Sequence, residues 1–165
     1  AGKFNSLYGG NIFPSVKPLL TKIPKLLGID GRKMSKSYDN FIALGDSEET
    51  IKKKCSAMFT DPERIKLSDK GHPDKCNVYA YYNLFKKEYA PVVYDYCSNA
   101  KAGCTECKKN LGAIISDYLA DVRHKREALL KDKDKIYSIL EKGAVKARKV
   151  ASETMSEVKK AIGMI

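Results

Sequence analysis

The character of the chain changes near residue 77, and that change limits what it can fold into. From Val78 onward apolar residues recur at helical spacing with little interruption. Val78-Tyr79, Tyr82 and Phe85 begin the pattern. Pro91 suits the first turn of a second helix, with Val92, Val93 and Tyr96 inward. Leu111, Ile114, Ile115, Tyr118, Leu119, Val122, Leu129 and Leu130 predict one long amphipathic helix. Ile136, Ile139, Leu140, Ala144, Ala147, Val150, Ala151, Met155 and Val158 predict another from about Asp134 to Ile162. Such stripes are expected to face a core.

The first 77 residues read differently. Pro14, Pro18 and Pro24 leave Val16–Leu20 and Ile23–Leu27 as short extended pieces, and Phe41–Leu44 predicts a brief strand. A helix should follow, with Asp46 as its cap and Glu49 in capping-box spacing. Ile51, Cys55, Met58 and Phe59 would share its inner face, with Cys55 a buried thiol. Thr60-Asp61-Pro62 ends it, and a polar loop runs to residue 77. The reading is a small α/β segment over 1–77 followed by a helical bundle over 78–165.

Two motifs carry chemistry. The first is Lys33-Met34-Ser35-Lys36-Ser37, with Gly28 and Gly31 upstream and Asp39-Asn40 after it. Two lysines astride a hydroxyl-rich turn suit a loop that closes on a polyphosphate: ammoniums act as point charges on phosphate oxygens, and hydroxyls and backbone N–H groups make the shorter contacts. Met34 would anchor the loop in apolar surface. The balance of charge agrees, since 31 Lys and Arg against 20 Asp and Glu leave +11 and favour a polyanionic partner such as nucleic acid.

The second motif is Cys76, Cys97, Cys104 and Cys107, separated by 20, 6 and 2 residues. The last pair converges from one turn. Four thiols in a chain with no leader and no apolar run of 18 residues point to a metal rather than to disulfides, in a cytosolic protein without a membrane partner. Spacing leaves zinc, an iron–sulfur cluster and metal-free thiols open. Zinc leads because structural four-cysteine sites most often hold it, although only one Cys-x-x-Cys knuckle is present.

The run GIDGRKMSKSYDN resembles the second signature of class I aminoacyl-tRNA synthetases. With FNSLYGG, DNFIALGD, TDPERIKLSDKGHPDKC and AGCTECKKNL, the chain resembles the C-terminal half of bacterial tryptophanyl-tRNA synthetases over essentially all its 165 residues. The abrupt start, without an initiator methionine, fits a piece of a longer protein. The resemblance implies a mostly α fold: the C-terminal remnant of a Rossmann-like α/β catalytic domain (1–77) followed by an α-helical anticodon-binding bundle (78–165).

It also implies a reaction, the ATP- and Mg²⁺-dependent activation of L-tryptophan to its adenylate and transfer to tRNA(Trp). Lys36 would be the leading phosphate-binding catalytic residue and Lys33 its support, with Met34, Ser35 and Ser37 completing the nucleotide-binding loop. The piece alone is expected to be inactive, and the full-length enzyme to be a homodimer. Some members of this branch bind a [4Fe–4S] cluster through cysteines spaced 22, 6 and 2 apart. Cys97, Cys104 and Cys107 match that pattern, and Cys76, two residues short of it, is the least matched; the resemblance therefore places iron–sulfur above zinc. Lys101, Lys108 and Lys109 beside the Cys-x-x-Cys turn, and Lys142, Lys146 and Lys149 on the last helix, are candidates to track tRNA phosphates. Two other identities compete: a tyrosyl or other class I synthetase, and a basic, metal-stapled nucleic-acid-binding module without catalysis.

Overall fold

The computed structural model describes every residue except Lys22 and Pro24, so the expected break at Pro24 lies outside the described residues. The chain forms two compact units, Ala1–Leu20 with Ala128–Ile165, and Thr21–Glu127.

In the first unit, α1 (Gly2–Tyr8) is held to the following turn by Asn5. Its amide nitrogen donates to the Phe13 carbonyl at 2.7 Å, and its oxygen accepts the Phe13 N–H at 3.2 Å. Phe4 stacks edge-on against Phe13 with ring centres 5.2 Å apart.

The second unit carries the core. α2 (Glu48–Ser56) starts at Ser47, whose hydroxyl accepts the Thr50 N–H at 3.1 Å. Glu48 and Glu49 in its first turn, and Lys53 and Lys54 in its last, complement the helix dipole. Asp46 is not the cap. Its carboxylate accepts the Ala43 N–H and pairs with Lys54, each at 2.8 Å, because a hydroxyl one residue later already serves the open helix end. α3 (Asn77–Phe85) and α4 (Ala90–Ser98) follow, the latter with Pro91 in its first turn.

The long helix expected over 111–130 is two helices. α5 (Cys104–Tyr118) and α6 (Ala120–Leu130) are separated by a turn at Leu119, and neither glycine nor proline marks the break. α5 packs chiefly on α2, and α3 lies against α5 and α4. Ile51, Cys55, Met58, Val78, Tyr81, Tyr82, Ala90, Val93, Leu111, Ile115 and Leu119 form the buried cluster. Cys55 is fully buried, and its apolar surroundings push its thiol up to about 11.

α7 (Lys133–Ala161) begins at Asp132, whose carboxylate accepts the Lys135 N–H, and runs 29 residues in the first unit. It departs from expectation in packing: none of its residues is buried, and Ile139, Leu140, Val150 and Met155 of the stripe are exposed. A helix this long keeps its backbone bonded whatever covers its apolar side. Periodicity therefore fixes the helix without fixing its burial. Phe59, Val92, Tyr96, Tyr118, Val122, Leu129 and Leu130 are likewise more exposed than their spacing suggests.

The chain is mostly helical. Among the described residues no strand forms, and Phe41–Leu44 is irregular. Among the described residues the single trace of sheet is one antiparallel bridge between Leu27 and Lys33. A short apolar run becomes a strand only with a partner, and Phe41–Leu44 has none here.

Candidate phosphate loop and thiol centre

The lysine loop is built on a rigid base. Its backbone turns at Gly28, where the N–H donates to the Arg32 carbonyl at 2.8 Å and the carbonyl accepts the Gly31 N–H at 2.9 Å. Any side chain at Gly28 would overlap Asn40, since a Cβ there would lie 2.2 Å from its amide nitrogen and 2.6 Å from its backbone oxygen. That close approach lets Asn40 sit beneath the loop, 2% exposed, as its organiser. The Asn40 amide donates to the Asp30 carboxylate at 2.8 Å and to the Lys33 carbonyl at 3.1 Å, and its oxygen accepts the Ser35 N–H at 2.8 Å.

Backbone N–H of Arg32, then the Asn40 amide, hold the Asp30 carboxyl down at about 2. It is therefore an anion at any physiological pH and keeps accepting both bonds. The base is also fastened from outside. Asn77 donates to the Gly28 carbonyl and the Tyr81 hydroxyl to the Leu27 carbonyl, both at 2.7 Å, and Phe59 N–H bonds the Ile29 carbonyl at 2.7 Å.

Above this base Ser35 caps a 3₁₀ turn over Lys36–Tyr38, accepting the Ser37 N–H at 3.2 Å. Lys33, Lys36 and Ser37 are exposed, while Met34 and Ser35 are half-buried. Among the described residues neither lysine has a carboxylate partner within ion-pair distance. The two ammoniums are free to meet an anion, and the loop lies outside the core.

The four cysteines also come together. Cys76, Cys97, Cys104 and Cys107 line one cavity of about 80 Å³. Cys76 immediately precedes α3, Cys97 lies in the last turn of α4, and Cys104 and Cys107 occupy the first turn of α5. The loop over 60–77 closes the site from the other side. Burial alone would raise the Asp61 carboxyl, but N–H groups of Glu63 and His72 and the His72 ring outweigh it and hold it below the usual range. Asp61 accepts the His72 N–H at 2.8 Å and faces its Nδ1 at 2.9 Å, pinning both ends of that loop. Lys75 and Glu63 form an ion pair beside it.

Gly71 then lies directly on Cys97. Its N–H bonds the Cys97 carbonyl at 3.0 Å, and a Cβ there would stand 2.4 Å from the Cys97 sulfur. Burial pushes the Cys107 thiol up to about 12 and raises that of Cys97 as well, so without a metal both stay protonated at neutral pH. Among the described residues, the group of three metal-ligand types drawn within 4.8 Å is Asp61, Glu63 and His72, and not the thiols. Asp61 there is already spoken for by hydrogen bonds.

The two motifs named from the sequence each come together in the fold, and both rest on side chains outside them. The sequence places Asn40 only beside the lysine motif and does not single out Asn77 or Tyr81; polar groups on the helix after Cys76 are the signal that could have found them. Of the candidate tRNA lysines, Lys101 pairs with Asp95 at 2.7 Å. Lys108 is half-buried and Lys109 is exposed, as are Lys142, Lys146 and Lys149 on α7.

The sequence profile of the class I tRNA synthetases (W and Y) matches residues 1–120. The chain belongs to that family. Within the family, the tryptophan–tRNA ligase of Aquifex aeolicus is 41% identical over 99% of this chain, which covers 42% of the relative. The tryptophan–tRNA ligase of Thermotoga maritima is 38% identical over 100% of this chain and 51% of its own length. The crystal structure of tryptophanyl-tRNA synthetase from Campylobacter jejuni complexed with ADP and tryptophan superposes with a TM-score of 0.78 at 32% identity, over 99% of this chain and 51% of that one. The chain thus spans about half the length of the curated synthetases it matches. No helix among the described residues is long and apolar enough to cross a membrane.

Proposed function

We propose that this chain is the phosphate-loop and anticodon-binding part of a cytoplasmic, homodimeric tryptophan–tRNA ligase, which activates L-tryptophan with ATP and transfers it to tRNA(Trp). The observation that carries the reading is a family-matched loop whose two lysines stand exposed and unpaired on a fastened base. Residues 1–77 would close the catalytic domain as a Rossmann-like remnant, and residues 78–165 would form the helical domain that meets the tRNA. The similarity of sequence and structure to tryptophan enzymes supports tryptophan over tyrosine.

In this reading Lys36, assisted by Lys33, neutralises the negative charge that grows on the β- and γ-phosphates as pyrophosphate departs. Ser35 and Ser37 would meet phosphate oxygens through their hydroxyls, since their backbone N–H groups already hold the loop together. Mg²⁺, bound with ATP, supplies further charge neutralisation. Amino-acid-dependent ATP–pyrophosphate exchange tests this in a protein carrying the chain together with the rest of the length seen in the relatives. Exchange is expected with tryptophan and not with tyrosine; the opposite preference would make it a tyrosine enzyme.

We further infer that Cys76, Cys97, Cys104 and Cys107 hold a [4Fe–4S] cluster. Their donor set is the one such clusters use. Zn–S bonds of about 2.3 Å would require sulfurs roughly 3.8 Å apart in a tetrahedron, whereas these thiols form no group within 4.8 Å. A water needs about 10–15 Å³ of such space, so about 80 Å³ is room for a polyatomic centre rather than one ion. When bound, the cluster would fix the turn before α5 and could carry an electron. Protein purified without oxygen is expected to show a broad absorption in the blue and about four irons per chain. A colourless protein with stoichiometric zinc would replace the cluster by zinc.

A further inference from the structure

We propose that Arg64 is a positioning residue for the thiol centre, supplying the positive charge that retains a cluster there and sets its electron affinity. The inference rests on the cluster reading above. Arg64 lies in the loop that closes the site, and its side chain is half-buried. One guanidinium nitrogen, Nη1, stands 3.9 Å from the Cys97 sulfur and 4.0 Å from the Cys104 sulfur. The other, Nη2, donates to the Ala102 carbonyl at 2.8 Å and the Leu67 carbonyl at 3.1 Å.

The planar guanidinium is therefore anchored at one end by two neutral acceptors and aimed with the other at two thiols from different helices. Among the described residues no carboxylate comes within ion-pair distance of it, so no other charge answers it. A cube held by four thiolates carries net negative charge in a half-buried site, where a fixed cation is effective. N–H groups directed at the ligand sulfurs are among the features that tune such potentials. Only arginine has the fork to hold two carbonyls while reaching both sulfurs.

The test uses the full chain, purified anaerobically, with three forms compared: unaltered, Arg64→Met and Arg64→Lys. Two quantities are read, the rate of iron loss to a chelator and the midpoint potential of the iron that remains. Loss of an outer partner typically weakens a metal site by 10–100-fold, so Arg64→Met should release iron about ten times faster or more. Its midpoint potential should fall, because a charge that favoured the reduced state is gone. Arg64→Lys keeps the charge and loses the fork, so its potential should stay near that of the unaltered chain while iron still escapes faster.

A purely structural clamp would leave the potential of the retained iron unchanged in Arg64→Met. That result would overturn the proposal while leaving the cluster standing. If circular dichroism shows that Arg64→Met does not fold, the Arg64→Lys and Arg64→Gln pair gives the same comparison of charge. An unaltered chain that holds no iron would overturn the cluster itself, and the role of Arg64 with it.

Discussion

Replacing Lys36 with alanine is expected to slow adenylate formation by roughly 10²- to 10³-fold, the range found when one preorganised charge-stabilising group is removed. Tryptophan-dependent pyrophosphate exchange in the full-length enzyme measures it. The size follows from what the structure leaves around this side chain. Lys36 sits on the exposed rim of a 3₁₀ turn, and among the described residues no carboxylate pairs with it. In the proposed role its charge would serve the transition state without first breaking an ion pair. The fold does not rest on Lys36, which is exposed and lies outside the buried cluster. Stability and tRNA affinity should therefore hardly change, and the loss should appear in kcat for exchange rather than in expression or folding. An unchanged exchange rate would remove Lys36 from the phosphate site.

Gly28→Ala should be nearly as damaging by another route. The added methyl would collide with both the side-chain amide and the backbone oxygen of Asn40, and the backbone atom cannot rotate away. Asn40 is nearly sealed and carries the bonds to Asp30, Lys33 and Ser35. Moving it leaves several buried polar groups unpaired. Overpacking of this kind costs about 1–3 kcal/mol. The midpoint of urea unfolding should drop accordingly, and in the full-length enzyme pyrophosphate exchange should fall with it even where the protein remains folded. Stability equal to that of the unaltered chain would mean that Asn40 can yield and is not the fixed floor of the loop.

How far the sequence discloses this molecule depends on whether a feature is local. The lysine loop is legible because its chemistry and its backbone turn lie within thirteen consecutive residues. The buried face of α2 is legible for the same reason, from Ile51 and Cys55, whereas Met58 is buried just beyond the helix end. What escapes is settled between distant segments. Asp46 and Ser47 both could cap α2, and the choice falls to Ser47 because Asp46 has the Ala43 N–H and Lys54 to serve. Phe41–Leu44 has a strand's composition but no neighbour to pair with. The stripe on α7 has a core's periodicity but lacks a cover. The thiols could be counted and spaced, yet nothing in their order announced that an arginine thirty-three residues before Cys97 would point at it.

The carbonyls of Leu27 and Gly28 are gripped by Tyr81 and Asn77, side chains of the helix that starts right after Cys76. With both carbonyls held there, the base of the loop is fixed to α3 and only the segment beyond it is left unanchored by that helix. The same helix begins directly after Cys76, so the loop base and one thiol share a support. A disturbance that rotates the start of that helix would reach the lysine loop through these two bonds.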